Sequence, residues 1–332
     1  MSARTMQHAG RATPRGRARF AGAAAVVAVV AAALAGCVAG SAPDASTGTV
    51  SASGTTSAPA SPAPQAVTCD DATTSYAPGD GSVPDGSTMA AIRDRGYLLV
   101  GVSADTLRMG ARNPFTGTIE GFDVDVARQV AAALLGDPDA VRFRVITAGD
   151  RIGVLENHEV DLVARAFTMN CDRWQQIAFS AEYLQAGQKV LVSSESDATG
   201  MADLTGQRVC APEGTTTLDR LADYDVEAVG ARTHSACLAL FQQGRVDAIT
   251  GDDTVLAGFV AQDPYAKVVG DAFSAEPYGL GVAADQVDLV RYVNGVLDAM
   301  KADGRWAALY ERWLGEALGP APAPPASVYG RS

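Results

Sequence analysis

Between residues 97 and 252, apolar runs of strand length alternate with segments of helical periodicity. The run "YLLVGVS" (97–103) predicts a strand. "DVDVARQVAAALLG" (123–136) predicts a helix, with Val126, Val130, Ala133 and Leu134 on one face and Gly136 as its stop. Strand "VRFRVI" (141–146), helix "DRIGVLENHE" (150–159) and strand "VDLVARA" (160–166) follow. Such alternation predicts an α/β fold with a mostly parallel sheet.

The pattern then restarts. "QRVCA" (207–211), "YDVEAVG" (224–230) and "VDAITGD" (246–252) read as strands, separated by the helices "TTLDRLAD" (216–223) and "HSACLALFQQG" (234–244). "HEVDLVARA" and "GRVDAITGD" match in kind: a helix end, Val-Asp, a short apolar strand and a polar tip. Two similar lobes are expected. The chain closes on helices: "DLVRYVNGVLDAM" (288–300) spaces Val290, Val293, Leu297 and Met300 three and four apart, and "RWAALYERWL" (305–314) stripes Trp306, Tyr310 and Trp313 along one face. That aromatic stripe reads as core packing.

The ends are of a different character. Residues 1–19 carry five Arg and no acid, 20–34 are Ala/Val-rich, and "LAGC" ends at Cys37. A basic start, a short apolar core and small residues describe a secretory signal. Cys after Leu-Ala-Gly resembles the lipobox of bacterial lipoproteins, which implies cleavage after residue 36 and a lipid on Cys37. Residues 38–66 are almost all Ser, Thr, Ala, Gly and Pro, too polar and small to form a core, so a flexible tether is expected over 37–85. A Pro-rich tail is expected over 319–332. Removing residues 1–36 takes away five arginines and no acid, so the formal net charge goes from −12 to −17. That balance argues against nucleic acid as a partner.

Four cysteines remain after Cys37, and four allow three pairings. In an exported chain disulfides are favoured. We expect Cys69–Cys171 and Cys210–Cys237, the second because both residues fall in one predicted lobe. No Cys/His spacing suggests a metal site, and no cofactor is expected.

In open α/β sheets ligands sit beyond the carboxyl ends of the strands. Three polar groups fall there: Arg173 behind Thr168, the turn "EGTTT" (213–217), and "GDD" (251–253). Arginine presents a fork that matches a carboxylate. A Gly-Thr-Thr turn offers N–H groups and hydroxyls, and Asp252 accepts from an ammonium. Together they suit a zwitterion. Taken singly, Arg173 also reads as a surface ion-pair partner, and Thr215, Thr216 and Asp252 as helix caps. Asp123 and Asp125 read as first-turn acids. Arg165, near a strand end, is a candidate for reading a ligand side chain.

"GFDVDVARQVAAAL", "VDLVARAFTMNCDRWQQIAFSAEY", "GTTT", "VDAITGDD" and "PYGLGV" together resemble the family-3 extracellular solute-binding proteins of polar amino acid ABC importers, over roughly residues 86–316. The cysteine placement and the "LGPAPAPP" ending are similar to actinobacterial glutamate/glutamine-binding lipoproteins. The resemblance implies a type II periplasmic-binding-protein fold, two α/β lobes joined by two hinge crossings. Lobe 1 would hold 86–185 with 274–318, and lobe 2 would hold 186–273. It assigns Arg173 and Thr168 to an α-carboxylate, Thr215 and Thr216 to the Gly-Thr-Thr motif, and Asp252 to an α-amino group. Where the family often carries an aromatic ring, the loop reads "ADTLRMG", with Met109 as the expected filler. The implied role is capture of glutamate, aspartate, glutamine or asparagine by a monomer, lipid-anchored outside the cytoplasm and serving an ABC permease. A sensor coupled to a membrane receptor is the alternative, and a dehydratase-like enzyme a third. After residue 36 only His158 and His234 remain as histidines, and no hydrolase motif appears.

Overall fold

A computed structural model of the chain describes residues 72–332. The signal segment 1–36, Cys37, Cys69 and the tether through residue 71 lie outside the described residues.

The first lobe is built on a sheet in the order Val141–Val145, Leu98–Val102, Leu162–Ala164, Gly281–Ala283, Ile177–Phe179. The first three strands are parallel; Gly281–Ala283 runs antiparallel to both neighbours. Alternation along each strand splits the apolar residues between two faces. Leu162 and Ala164 join the larger core, under helices Phe122–Leu135, Val287–Ala302 and Arg305–Tyr310, while Val163 joins a smaller core with Leu155 and Phe167. Trp306 and Tyr310 pack edge-on against Phe122, so this part of the stripe is core. Trp313 is half-buried and donates its Nε1–H to Asp125 at 2.8 Å.

The second lobe has the order Glu227–Ala231, Arg208–Pro212, Ala248–Asp252, Leu184–Ser193, Ala266–Val269. Here too the first three strands are parallel and the added ones antiparallel. Cys210 and Cys237 form a disulfide between strand Arg208–Pro212 and helix His234–Gln242, with Cα atoms 5.6 Å apart. Cys171 is buried; its expected partner Cys69 is not among the described residues.

Two strands carry the chain between lobes. Leu184–Ser193 pairs through Leu184 to Gly187 with Ala275–Tyr278, and from Gln188 onward with the strands of lobe 2. The chain therefore enters lobe 2 through one crossing and leaves it through the other. This is the type II periplasmic-binding-protein fold, two α/β lobes joined by two crossings.

Short strands lie within the last part of the expected tether and at the end of the expected tail. Thr74–Tyr76 pairs in parallel with Val328–Arg331, and Ser75 is fully buried, its hydroxyl donating to the Phe179 carbonyl at 2.8 Å. Asn294 reaches the same segment, donating to Ser75 Oγ at 3.0 Å and to the Tyr76 carbonyl at 2.7 Å. Each strand is too short to show a period of its own; each is ordered by the other and by lobe 1.

Candidate functional site

The carboxyl ends of the parallel strands of both lobes face one another across a seam. In lobe 1, strand Leu162–Ala164 runs into a loop whose Ala166 has φ of +40°, a backbone region unusual for a residue with a Cβ. Asp123 and Arg151 hold it there. Asp123 accepts from the Ala166 N–H at 2.8 Å and from the Tyr183 hydroxyl at 2.6 Å, and Arg151 Nη1 donates to the Ala166 carbonyl at 2.9 Å. Asp123 is therefore more than a first-turn acid: it is 1% exposed, and burial pushes its carboxyl up to about 6.

Arg173 stands on the single turn Cys171–Trp174, which Asn170 caps by accepting from the Arg173 N–H at 2.9 Å. Its Nη1 donates to the Thr168 carbonyl at 2.6 Å, and its Nη2 lies 3.4 Å from the Gly214 carbonyl of the opposite lobe. Arg151 converges on the same oxygen, with Nη2 to Gly214 O at 2.8 Å and Nε to Ala148 O at 2.7 Å. Both guanidiniums lie near the Phe167 ring, 4.4 Å and 5.0 Å from its centroid. Both are buried, and neither makes an ion pair among the described residues. Burial lowers the pKa of each, but an arginine side chain remains a cation. Two buried cations satisfied only by carbonyls are a strong attractor for an anion.

In lobe 2, strand Arg208–Pro212 is followed by a turn at Gly214, whose φ of +70° favours glycine. A Cβ there would lie 2.7 Å from Gly149 Cα of lobe 1, so the two backbones touch. Thr215 caps the turn Thr216–Asp219, accepting from Leu218 N at 3.2 Å, and Thr216 donates to the fully buried Glu276 of a crossing strand at 2.8 Å. Asp252 ends strand Ala248–Asp252. Its Oδ2 accepts from the Tyr278 hydroxyl, while its Oδ1 is buried without a hydrogen-bond partner among the described residues. Burial, then the Glu276 charge, push Asp252 up to about 7. His234 is buried with an unpartnered Nδ1. Burial, then the Arg165 charge, bring it down to about 3, so its imidazole is neutral.

Thr168, Thr215, Thr216, Asp252, Arg151, Thr217 and His234 surround one cavity of about 20 Å³, room for a single water. Anything larger enters only if the lobes part. Arg173 adjoins this space through its contacts to Thr168 and Gly214.

Two sequence expectations are corrected. Met109 does not reach the cavity. The chain reverses at Arg108, with φ of +74°, and Met109 points into the core of lobe 1, 1% exposed. Arg165 does not line the cavity either. It is 2% exposed, donates from Nε to the Ile146 carbonyl at 2.9 Å, and lies 4.0 Å from Asp105. Asp105 in turn accepts from the Ser235 N–H at 3.0 Å and its hydroxyl at 2.9 Å, linking the lobes. Burial raises the Asp105 pKa, but the Ser235 N–H and the surrounding charges hold it down to about 2. Arg151, His234 and Tyr278 were not singled out from sequence for this site. Arg151 and His234 sit at helix starts, where a surface role reads equally well. Among the described residues, no group of three or more His, Cys, Asp or Glu side chains forms a metal site, and no helix is long and apolar enough to cross a membrane.

Residues 98–316 match the bacterial extracellular solute-binding proteins, family 3. The chain is 33% identical over 232 residues to the ABC transporter glutamine-binding protein GlnH of Bacillus subtilis, covering 69% of this chain and 85% of that one. It is 32% identical over 255 residues to the glutamate-binding protein GluB of Corynebacterium efficiens, covering 73% and 84%. Among solved structures, the solute receptor for L-cysteine of Neisseria gonorrhoeae superimposes with a TM-score of 0.67 at 30% identity, covering 70% of this chain and 96% of that one. Two lobes closing on a polar cavity, matched along most of both lobes, place this chain in the bacterial extracellular solute-binding proteins, family 3, as a binding protein and not an enzyme.

Proposed function

We propose that the chain captures an amino acid with an acidic side chain, glutamate or aspartate ahead of glutamine or asparagine, and hands it as a monomer to an ABC importer. The observation that carries this is the convergence of Arg151 and Arg173 on the Gly214 carbonyl, facing Asp252 with its unpartnered Oδ1. Arg173 with Thr168 takes the α-carboxylate, and Asp252 takes the ammonium. Arg151, with neutral His234 beside it, takes the side-chain carboxylate. The charges decide between acid and amide. Two guanidiniums and one ionised Asp252 leave one positive charge, which an amino dicarboxylate neutralises and an amide does not; an uncompensated buried charge is costly. The similarity to a glutamine-binding and a glutamate-binding protein supports the compound class.

Titration calorimetry with the four amino acids tests the reading. The acids should bind more tightly than the amides, and Arg151→Met should reverse that order, a swing of at least about tenfold for loss of a charge-assisted pair. Equal affinities for acid and amide in the wild type would remove the assignment of Arg151.

Asp252 also sets a pH dependence. Its folded-state pKa lies above the unfolded 3.8, so between about 4 and 7 the folded protein holds a proton that the unfolded chain has lost. Its contribution therefore makes stability fall as pH rises through that window. A ligand ammonium needs the ionised form, so binding below pH 7 should expel a proton. Calorimetry at pH 6 in buffers of different ionisation enthalpy should show proton release approaching one per site; no release would mean that Asp252 does not meet the ammonium.

Outside the described residues, we place the lipid on Cys37, with the tether behind it holding the binding protein near its importer. Fatty-acid labelling that survives Cys37→Ala would refute this.

A further inference from the structure

We propose that the C-terminal strand positions Arg173, so that Arg331, outside the cavity, tunes recognition of the ligand's α-carboxylate. The proposal rests on the amino acid reading above.

Arg173 and Trp174 are neighbours on the four-residue turn Cys171–Trp174. An isolated turn cannot hold its own geometry, because nucleating a helix costs more than one hydrogen bond returns. Its orientation must come from what its side chains grip. Consecutive helical residues point about 100° apart, so a turn that aims Arg173 at the cleft turns Trp174 away from it, toward the chain ends.

There Trp174 is held on several sides. Its Nε1–H donates to the Ala72 carbonyl at 2.7 Å, and its ring meets Phe179 and Tyr76 with centroids 5.4 Å and 6.3 Å away. The Arg331 guanidinium lies over the indole, 3.9 Å from its centroid, while Arg331 Nε donates to the Thr74 carbonyl at 2.7 Å. Arg331 thus ties the terminal strand pair to the tryptophan beside the binding arginine.

The tail that delivers Arg331 is itself secured. Ser327 and Tyr329 donate their hydroxyls to the two oxygens of Asp298 at 2.6 Å and 2.7 Å, and Lys301 Nζ donates to Ser327 Oγ at 2.9 Å. No tail residue lines the cavity. The direct route from the tail to the cavity runs through the turn that carries Trp174 and Arg173. If Trp174 shifts, the Arg173 guanidinium leaves its place between Thr168 O and Gly214 O.

The test compares wild type, Arg331→Ala, Arg331→Lys and a chain ending at Gly319. Each is titrated with glutamate and with its α-carboxamide, at a temperature where circular dichroism shows all four folded. The quantity read is the preference for the free α-carboxylate. Loss of general stability weakens both ligands together and leaves that ratio unchanged. Misplacing Arg173 lowers it. Arg331→Ala should reduce the preference about two- to fivefold, as expected for one cation over an indole. The shortened chain should reduce it at least as much, and Arg331→Lys should keep most of it. An unchanged ratio in the shortened chain overturns the proposal; if that chain does not fold, an unchanged ratio in Arg331→Ala does so. Should wild type prefer another amino acid, the acidic reading fails separately, and the same ratio measured with that amino acid and its α-amide still tests the strand.

Discussion

Arg173→Ala is expected to lose amino acid binding in titration calorimetry, with affinity falling by more than about a hundredfold, or about 3–5 kcal/mol. The size follows from the surroundings. The guanidinium is 7% exposed, beside the Phe167 ring and directed at carbonyls, so no bulk water replaces it when it is removed. The ligand's α-carboxylate would then be buried without the cation assigned to it. Arg173→Lys should recover only part of the loss, because an ammonium cannot donate in two parallel bonds. Stability should change little or rise, since an unpaired buried cation is removed. Wild-type affinity retained in Arg173→Ala would move the α-carboxylate elsewhere in the seam.

Removing the disulfide should have the other large effect, this time on stability. Cys210 and Cys237 are fully buried and 27 residues apart in sequence. Chain entropy for a loop of that size predicts a loss of about 3–4 kcal/mol. The bond lies wholly within lobe 2, between a central strand and helix His234–Gln242, which carries His234 at its start. The double variant Cys210→Ala, Cys237→Ala should therefore lower the unfolding of lobe 2 by about 15–20 °C in scanning calorimetry, while lobe 1 melts nearly as before. A melting profile identical to wild type would show that the loop is restrained by other contacts.

The parallel strands and main helices were legible because each carries a period of its own. Leu98–Val102, Phe122–Leu135 and Val287–Ala302 fall within a residue or two of their sequence reading. What escaped were the pieces that depend on partners distant in sequence. The crossing strand Leu184–Ser193 faces lobe 1 at one end and lobe 2 at the other, so no single alternation runs along it. Thr74–Tyr76 and Val328–Arg331 become strands only when the two ends meet. The site divides in the same way. Thr168, Thr215, Thr216 and Asp252 were marked by their place after strands, and they do line the cavity. Arg151 and His234 carry no such mark, because each stands at the start of a helix and not behind a strand. Met109 misled because the loop reverses at Arg108, where a positive φ at a non-glycine residue gives no signal in the sequence.

The passage of the chain out of lobe 1 and back has a consequence for how the molecule is made. Strand Gly281–Ala283 stands between Leu162–Ala164 and Ile177–Phe179, yet it reaches the growing or emerging chain about a hundred residues later than either. Everything needed for the second sheet except its share of the return strand arrives first. The part begun earliest is thus completed last, and until residue 283 emerges the place between Leu162–Ala164 and Ile177–Phe179 stands open, with an unpaired strand edge on either side of the gap.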